Sequence, residues 1–269
     1  MKKITYLFLI FVSAYSFSQT PKAEDYAEKG RQALIQEKYK EAIRYFDAAL
    51  IIDPNSSLVF AYRGLAKSKA KLYTNAIVDL DKAIAMGENS FNVYYNRAFA
   101  KYTLGDFANA IPDFEKAIRL NPRDANSYLF MGYAKTKLQL YTNSITDFDK
   151  LLEFDPKNTE GYAYRGLNYL YLKKYDEALQ DFNKSIALDS TEITPYNLRA
   201  QIKLIRGDYK GALDDLDNVL RKDPNHKDAL HNRVFAKIYL NDQKGACEDY
   251  KKGLTLGEEK NPDMETICK

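Results

Sequence analysis

The stretch FNVYYNRAFAKYTLGDFANAIPDFEKAIRLNPRD, residues 91–124, decides the fold. Val93-Tyr94, Arg97-Ala98 and Lys101-Tyr102 fall at helical spacing, which predicts a first amphipathic helix. Gly105-Asp106 interrupts it, and Asp106 can cap a second helix. Ala110, Phe114, Ala117 and Ile118 mark one face of that second helix, and Asn121-Pro122 stops it. Pro112 lies inside the second helix, where a missing N–H predicts a local bend and one lost backbone bond.

The same unit extends in both directions in steps of 34 residues. The aromatic opening each unit gives Tyr26, Phe60, Tyr94, Tyr128, Tyr162, Tyr196 and Leu230. A small-residue column is Gly30, Gly64, Ala98, Gly132, Gly166, Ala200 and Val234. A second is Ala42, Ala76, Ala110, Ser144, Ala178, Ala212 and Ala246, followed by Phe46, Leu80, Phe114, Phe148, Phe182, Leu216 and Tyr250. No insertion or deletion is needed, so the units are 23–56, 57–90, 91–124, 125–158, 159–192, 193–226 and 227–260. The expected fold is all-α. Gly64 and Ala76 let the paired helices approach closely, with Phe60 and Leu80 filling the space toward the neighbouring unit. One helix pair cannot bury its apolar face alone, so stacking of units has to supply the core.

These columns resemble the tetratricopeptide-repeat family. Tyr26, Gly30, Ala42, Phe46, Ala49 and Pro54 match its order of aromatic, small residue, Ala, aromatic, Ala and Pro. Tyr or Phe stands where the family commonly has Trp, and Leu230, Val234 and Gly253 make the last unit divergent. The resemblance implies a right-handed superhelical solenoid of seven helix-turn-helix units. It does not imply a ligand, because the family shares a shape.

The ends differ from the repeats. Lys2 and Lys3, the apolar run Ile4 to Phe17 and the small residues of Ser16-Phe17-Ser18 predict a signal peptide over 1–18, with residues 19–22 leading into the first unit. This predicts an exported protein, periplasmic or at the cell surface, without membrane insertion after cleavage. Residues 261–269 form a terminal cap, in which Asp263 is expected to start a short helix after Asn261-Pro262. The chain has two cysteines, Cys247 and Cys268. In an oxidising compartment they are expected to pair and pin the cap over the open end of the solenoid.

Composition narrows function by exclusion. The 40 basic residues fall to 38 against 37 acidic ones once Lys2 and Lys3 are removed, leaving a net charge of +1. That balance gives no electrostatic case for nucleic acid. The two histidines, His226 and His231, are five residues apart and do not share a helical face, so neither a metal site nor a catalytic pair is expected. Ser residues have no His to activate them, no phosphate-binding Gly-rich loop follows a strand, and no cofactor is expected. The chain therefore reads as non-enzymatic.

Two charged columns recur. Arg63 with Asp79, Arg97 with Asp113, Arg165 with Asp181, Arg199 with Asp215 and Arg233 with Asp249 occupy the seventh and twenty-third positions of five units. A planar guanidinium suits a carboxylate, so these read as bridges stapling each helix pair rather than as a charge ladder for a ligand. Unit four places Met131 beside Asp147 and lacks the bridge. Lys67, Lys101, Lys135, Lys203 and Lys237 form another column, read as solvated stems over apolar neighbours rather than as a basic stripe.

The family resemblance implies that the inner wall is lined by first helices, at their second, fifth, ninth, twelfth and thirteenth positions. Transferred to this chain, that gives Tyr95, Phe99 and Tyr102, then Tyr133 and Thr136, Leu167 and Tyr171, and Phe235 and Tyr239. Asn92, Asn126 and Asn197 would add polar contacts. A groove of Tyr with Asn offers ring area, hydroxyls and amides to a peptide backbone. The Lys and Asn carboxylate clamp of some relatives is not matched, since Ala27, Arg31, Tyr62, Asn92 and Asn96 stand at the corresponding positions. The expectation is a protein–protein interaction scaffold of the cell envelope that binds a peptide or partner protein. The alternative is a self-associating structural component. The oligomeric state is not set by the sequence.

Overall fold

The computed structural model describes residues 22–268, so the expected signal peptide 1–18, residues 19–21 of the lead and Lys269 lie outside the described residues. The described chain is helical. Unit by unit the pairs are α1 (Ala23–Ile35) with α2 (Tyr39–Ile52), α3 (Ser57–Lys69) with α4 (Tyr73–Ala85), and α5 (Phe91–Thr103) with α6 (Phe107–Leu120). Then come α7 (Ala125–Lys137) with α8 (Tyr141–Phe154), α9 (Thr159–Tyr171) with α10 (Tyr175–Leu188), and α11 (Thr194–Ile205) with α12 (Tyr209–Lys222). The last pair is α13 (Lys227–Tyr239) with α14 (Gln243–Thr255), and α15 (Pro262–Ile267) follows. α6 runs unbroken through Pro112, whose exposed position leaves the unpartnered carbonyl one turn back within reach of water.

The turn inside every unit has one construction. The fifteenth residue, which is Glu37, Lys71, Gly105, Gln139, Lys173, Gly207 or Asn241, has positive φ between 57° and 82°. The next amide bonds back across five residues, as in Lys38 N–H to Ala33 O at 2.8 Å and Leu140 N–H to Lys135 O at 2.9 Å. This left-handed cap closes the first helix and reverses the chain. Five of the seven units adopt it without glycine.

Packing runs through a plug and a socket. Phe46, Phe114, Phe148 and Phe182 are fully buried, and Leu80 and Leu216 nearly or fully so. A Cβ built on Gly30 would lie 2.5 Å from Phe46, on Gly64 2.7 Å from Leu80, on Gly132 2.8 Å from Phe148 and on Gly166 2.8 Å from Phe182. The small column thus makes a hole for the large side chain of the same unit. This corrects the expectation that Leu80 fills the space toward the neighbour. Where Ala98 replaces glycine, Phe114 is still fully buried, so the socket tolerates one methyl group.

Each second helix packs on the first helix of the next unit, as α2 does on α3 and α8 on α9. Successive first helices also touch, from α1 with α3 through to α11 with α13, whereas successive second helices do not among the described residues. The first helices therefore line the inside of the curve and the second helices splay along the outside. At the C-terminal end α15 packs on α14, and Cys247 and Cys268 are disulfide-bonded with Cα atoms 5.4 Å apart. The cap of α15 is Asn261, whose side chain accepts from the amides of Asp263 and Met264, so Asp263 lies inside the helix rather than starting it.

Candidate functional site

The charged columns resolve first, because they set what is left to meet a ligand. Arg63 donates to both oxygens of Asp79 at 2.8 and 2.7 Å and, through its other terminal nitrogen, to Asp47 of the preceding unit at 2.7 Å. Arg97 joins Asp113 and Asp81, Arg165 joins Asp181 and Asp149, Arg199 joins Asp215 and Asn183, and Arg233 joins Asp249 and Asp217 in the same way. The hydrogen bonds that Arg165 donates to Asp181 hold its guanidinium above its ordinary pKa. Each arginine therefore ties three helices, two in its own unit and one behind. The guanidinium also lies over the opening aromatic, 5.2 Å from the Phe60 ring centre and 5.4 Å from that of Tyr196.

The lysine column serves the same acids. Lys67 lies 2.7 Å from Asp79, and Lys101, Lys203 and Lys237 lie 2.8 Å from Asp113, Asp215 and Asp249. These lysines are second cations on the buried aspartates, which corrects the reading of solvated stems and removes the basic stripe altogether. In unit four Lys135 is the sole cation on Asp147 among the described residues. Burial, opposed by Lys135 and reinforced by the Glu115 charge, pushes the Asp147 carboxyl up to about 6.

The inner wall is aromatic across units three to five. Tyr95 stacks between Phe91 and Phe99, with ring centres 5.5 and 6.4 Å away, and meets Phe114 edge-on. Burial, with the Asp124 charge adding to it, pushes the Tyr95 phenol up to about 12. Phe99 abuts Phe130 at 5.0 Å, Tyr102 contacts Phe130 and Tyr133, and Tyr133 lies 4.2 Å from Tyr164. Tyr133 is buried and donates its hydroxyl to Glu160. Desolvation and the Glu160 carboxylate both raise its pKa, so it stays a donor.

Two cavities of 330 and 300 Å³ adjoin along this wall and share Tyr133, Ala163, Tyr164 and Thr194. The first is walled by Tyr102, Tyr141, Tyr164, Tyr171, Leu167 and Leu198, with Thr136 at its floor and Lys137 at its rim. The second carries Glu160, Glu192, Thr159 and Ser185. Together they form a trough on first helices α5, α7, α9 and α11. A wider cavity of 470 Å³ lies at the N-terminal end of the described chain, lined by charged residues including Glu28 and Arg31, which pair with each other.

Beneath the trough is a buried polar knot. Asn168, fully buried, donates to Thr136 Oγ1 at 2.9 Å, to Ser144 Oγ at 3.2 Å and to the Tyr164 carbonyl at 2.7 Å. Ser144 donates in turn to the Gly132 carbonyl at 2.8 Å. Every side-chain polar atom of this knot is partnered, so it fixes unit four against unit five at little cost.

The structure brings Tyr102, Tyr133, Thr136, Leu167 and Tyr171 together at the trough and leaves others elsewhere. Tyr133 and Thr136 are floor, not exposed contacts, because their polar ends are committed to Glu160 and the knot. Asn197 is buried and accepts from Asn232 at 3.4 Å, so it is no groove contact. Asn92 and Asn126 lie outside the two cavities. Phe235 and Tyr239 belong to the last unit, where Phe235 meets His231 edge-on and Tyr239 stacks on Tyr209 at 4.4 Å. His226 caps α13 by accepting from Ala229 N–H at 3.2 Å. Tyr164 and Glu160 line the trough, and Phe130 packs behind it on Tyr102 and Tyr133; none of the three is among the residues expected from the sequence. Phe130 and Tyr164 share the sixth position of their units with Tyr62 and Leu198, but Glu28, Asn96 and Asn232 stand there in the other units, so that column gives only a weak signal.

Residues 91–124, 125–158 and 159–192 each match a model of the tetratricopeptide repeat. The chain is a tetratricopeptide-repeat protein. No curated protein matches this repeat chain in sequence. Among solved structures it is similar to a tetratricopeptide repeat protein from Parabacteroides merdae, at 20% identity, with a TM-score of 0.63, covering 91% of this chain and 97% of that one. It is similar to YrrB, described as a TPR protein with an unusual peptide-binding site, at 19% identity and TM-score 0.61, covering 65% of this chain and 90% of that one. It is also similar to MamA, at 24% identity and TM-score 0.58, covering 62% and 92% respectively. At such identities the likeness is one of fold. Proteins of this repeat family are generally non-enzymatic scaffolds that bind proteins or peptides. Among the described residues no helix is long and apolar enough to cross a membrane.

Proposed function

We propose that this tetratricopeptide-repeat protein is an exported scaffold of the cell envelope that holds a peptide or partner segment in the tyrosine-walled trough of units three to six. The observation that carries the reading is the trough itself. It is concave, mostly apolar, and lined by hydroxyls and carboxylates on rigid helices, which is the makeup of a recognition site. Tyr171, 52% exposed and held upright by Tyr141 at 4.7 Å, offers ring area at little entropic cost. The peptide-binding site described for YrrB gives a precedent within the same fold. Export is supported by the Lys2-Lys3 start with its apolar run and by the Cys247–Cys268 disulfide, since such bonds persist in oxidising compartments.

A photo-crosslinking residue placed at Leu167, compared with one at exposed Val78 on α4, tests the reading in the native envelope. A discrete partner captured from position 167 and not from position 78 is the expected result. Equal capture at both positions, or none at 167, overturns it. Capture of a second copy of this chain at 167 assigns the trough to self-association instead.

A further inference from the structure

The charges around the trough are unbalanced. Each aspartate of the twenty-third position from unit two onward, from Asp79 to Asp249, has an arginine or a lysine against it. Glu160 and Glu192, which line the same cavity, have no ion-pair partner among the described residues. Glu160 is not idle, because the Tyr133 hydroxyl donates to one of its oxygens and so fixes the carboxylate at the cavity wall. The rings of Tyr133 and Tyr164 form the wall common to both cavities, and an aromatic face attracts a cation. Lys137, the one cation of the lining, stands in the other cavity. Burial also raises the Tyr164 phenol, with Glu160 adding to it, so that ring brings no competing negative charge near neutrality.

We infer that the trough anchors its peptide partner through a basic side chain, an arginine or lysine, seated against Glu160 and Glu192 and over the Tyr164 ring. The inference rests on the partner-binding reading of the trough and specifies the partner's chemistry. An acidic segment would meet two uncompensated carboxylates at that end, and a purely apolar one would bury them without a partner, which is costly.

The test uses the full mature chain, isotopically labelled, with three capped pentapeptides as probes: Gly-Gly-Arg-Gly-Gly, its Leu analogue and its Glu analogue. Amide shifts of Ala163, Thr194 and Glu160 are followed by NMR. The arginine peptide should saturate these shifts with an affinity about tenfold above that of the leucine peptide, the scale of one close charge pair. The glutamate peptide should leave them unmoved. The double variant Glu160→Gln with Glu192→Gln keeps an acceptor for Tyr133 and should erase the arginine preference without changing leucine binding. Equal binding of the arginine and leucine peptides, arginine binding undiminished in the double variant, or no response to the arginine peptide would each overturn the inference. The crosslink from position 167 decides the partner-binding reading independently, so the two can fail separately.

Discussion

Unit four lacks the arginine that staples its neighbours, and restoring it has a calculable effect. Met131 is buried at the seventh position, Asp147 is buried opposite, and Glu115 stands where Asp47, Asp81, Asp149 and Asp217 accept the third arginine bond. Lys135 hydrogen-bonds Asp147 Oδ1 at 3.0 Å, while Oδ2 has no hydrogen bond despite the ammonium lying 2.8 Å away. The substitution Met131→Arg would place a guanidinium between both acids. A carboxyl moved from 3.8 to about 6 binds its proton more tightly in the folded chain than in the unfolded one. Its stabilising effect is therefore present below pH 4 and lost as pH rises through 6. A displacement of that size costs the folded chain about 3 kcal/mol at neutral pH, where the buried carboxyl has to ionise. Losing the buried Met side chain costs about 1.5 kcal/mol or more, and the arginine stem recovers part of this. The variant should gain about 1–2 kcal/mol near pH 7 and gain nothing, or lose slightly, near pH 4.5.

Solenoids unfold in segments, so a global melting curve is a blunt readout. Carboxyl carbon shifts of Asp147 give its titration directly, and hydrogen exchange of the α7 and α8 amides gives the local stability. The reasoning is refuted if Asp147 titrates near 4 in the unmodified protein. It is equally refuted if Met131→Arg changes exchange protection by the same amount at both pH values.

Three further outcomes follow from the packing. Gly64→Leu should cost more than about 3 kcal/mol or abolish folding of unit two, because its Cβ alone meets Leu80 at 2.7 Å; helical circular dichroism and urea titration check this. Gln139→Gly relieves a positive φ of 60° at an exposed turn and should raise stability by about 0.5–1 kcal/mol, read as a higher urea midpoint. Joint replacement of Cys247 and Cys268 by Ser opens a link spanning 21 residues and should lower the stability of the C-terminal end by about 3 kcal/mol, visible as faster exchange in α14 with α7 unchanged.

How much of this could be read from the sequence depended on whether a feature repeats. The helix pairs, their turns and the Arg–Asp staple recur every 34 residues, and a column of like residues exposes a shared constraint. What the column cannot show is which neighbour a side chain reaches. Arg63 is legible as the partner of Asp79, sixteen residues on. Its bond to Asp47, in the preceding unit, depends on how the units stack. Lys67 escapes a sequence reading for the same reason: it sits one turn beyond Arg63, and a helical wheel does not say that both lean on one aspartate. At the trough, Tyr133 looks like an exposed groove residue from its position alone. Phe130 and Tyr164 close over it, and no column announces a cluster made by different positions.

One group of the chain's irregularities gathers at the trough. Met131 in place of arginine, Ser144 in place of alanine, Thr136 and Tyr133 all belong to unit four, and Asn168 joins them from unit five. Repetition alone would predict that each costs stability, since a consensus residue at every position fits the neighbouring unit best. Ser144, Thr136 and Asn168 are compensated by a fully partnered knot, and Tyr133 by Glu160. Asp147 is not fully compensated. A regular solenoid presents equivalent surfaces along its length and so has no intrinsic address for a partner. Breaking the pattern in one unit, and tying that unit to the next through polar atoms rather than methyl groups, makes one stretch of the inner wall chemically distinct. On the proposed reading, that distinction, with two acids left without an ion pair at its edge, is what would let units three to six select a segment that the rest of the wall would not hold.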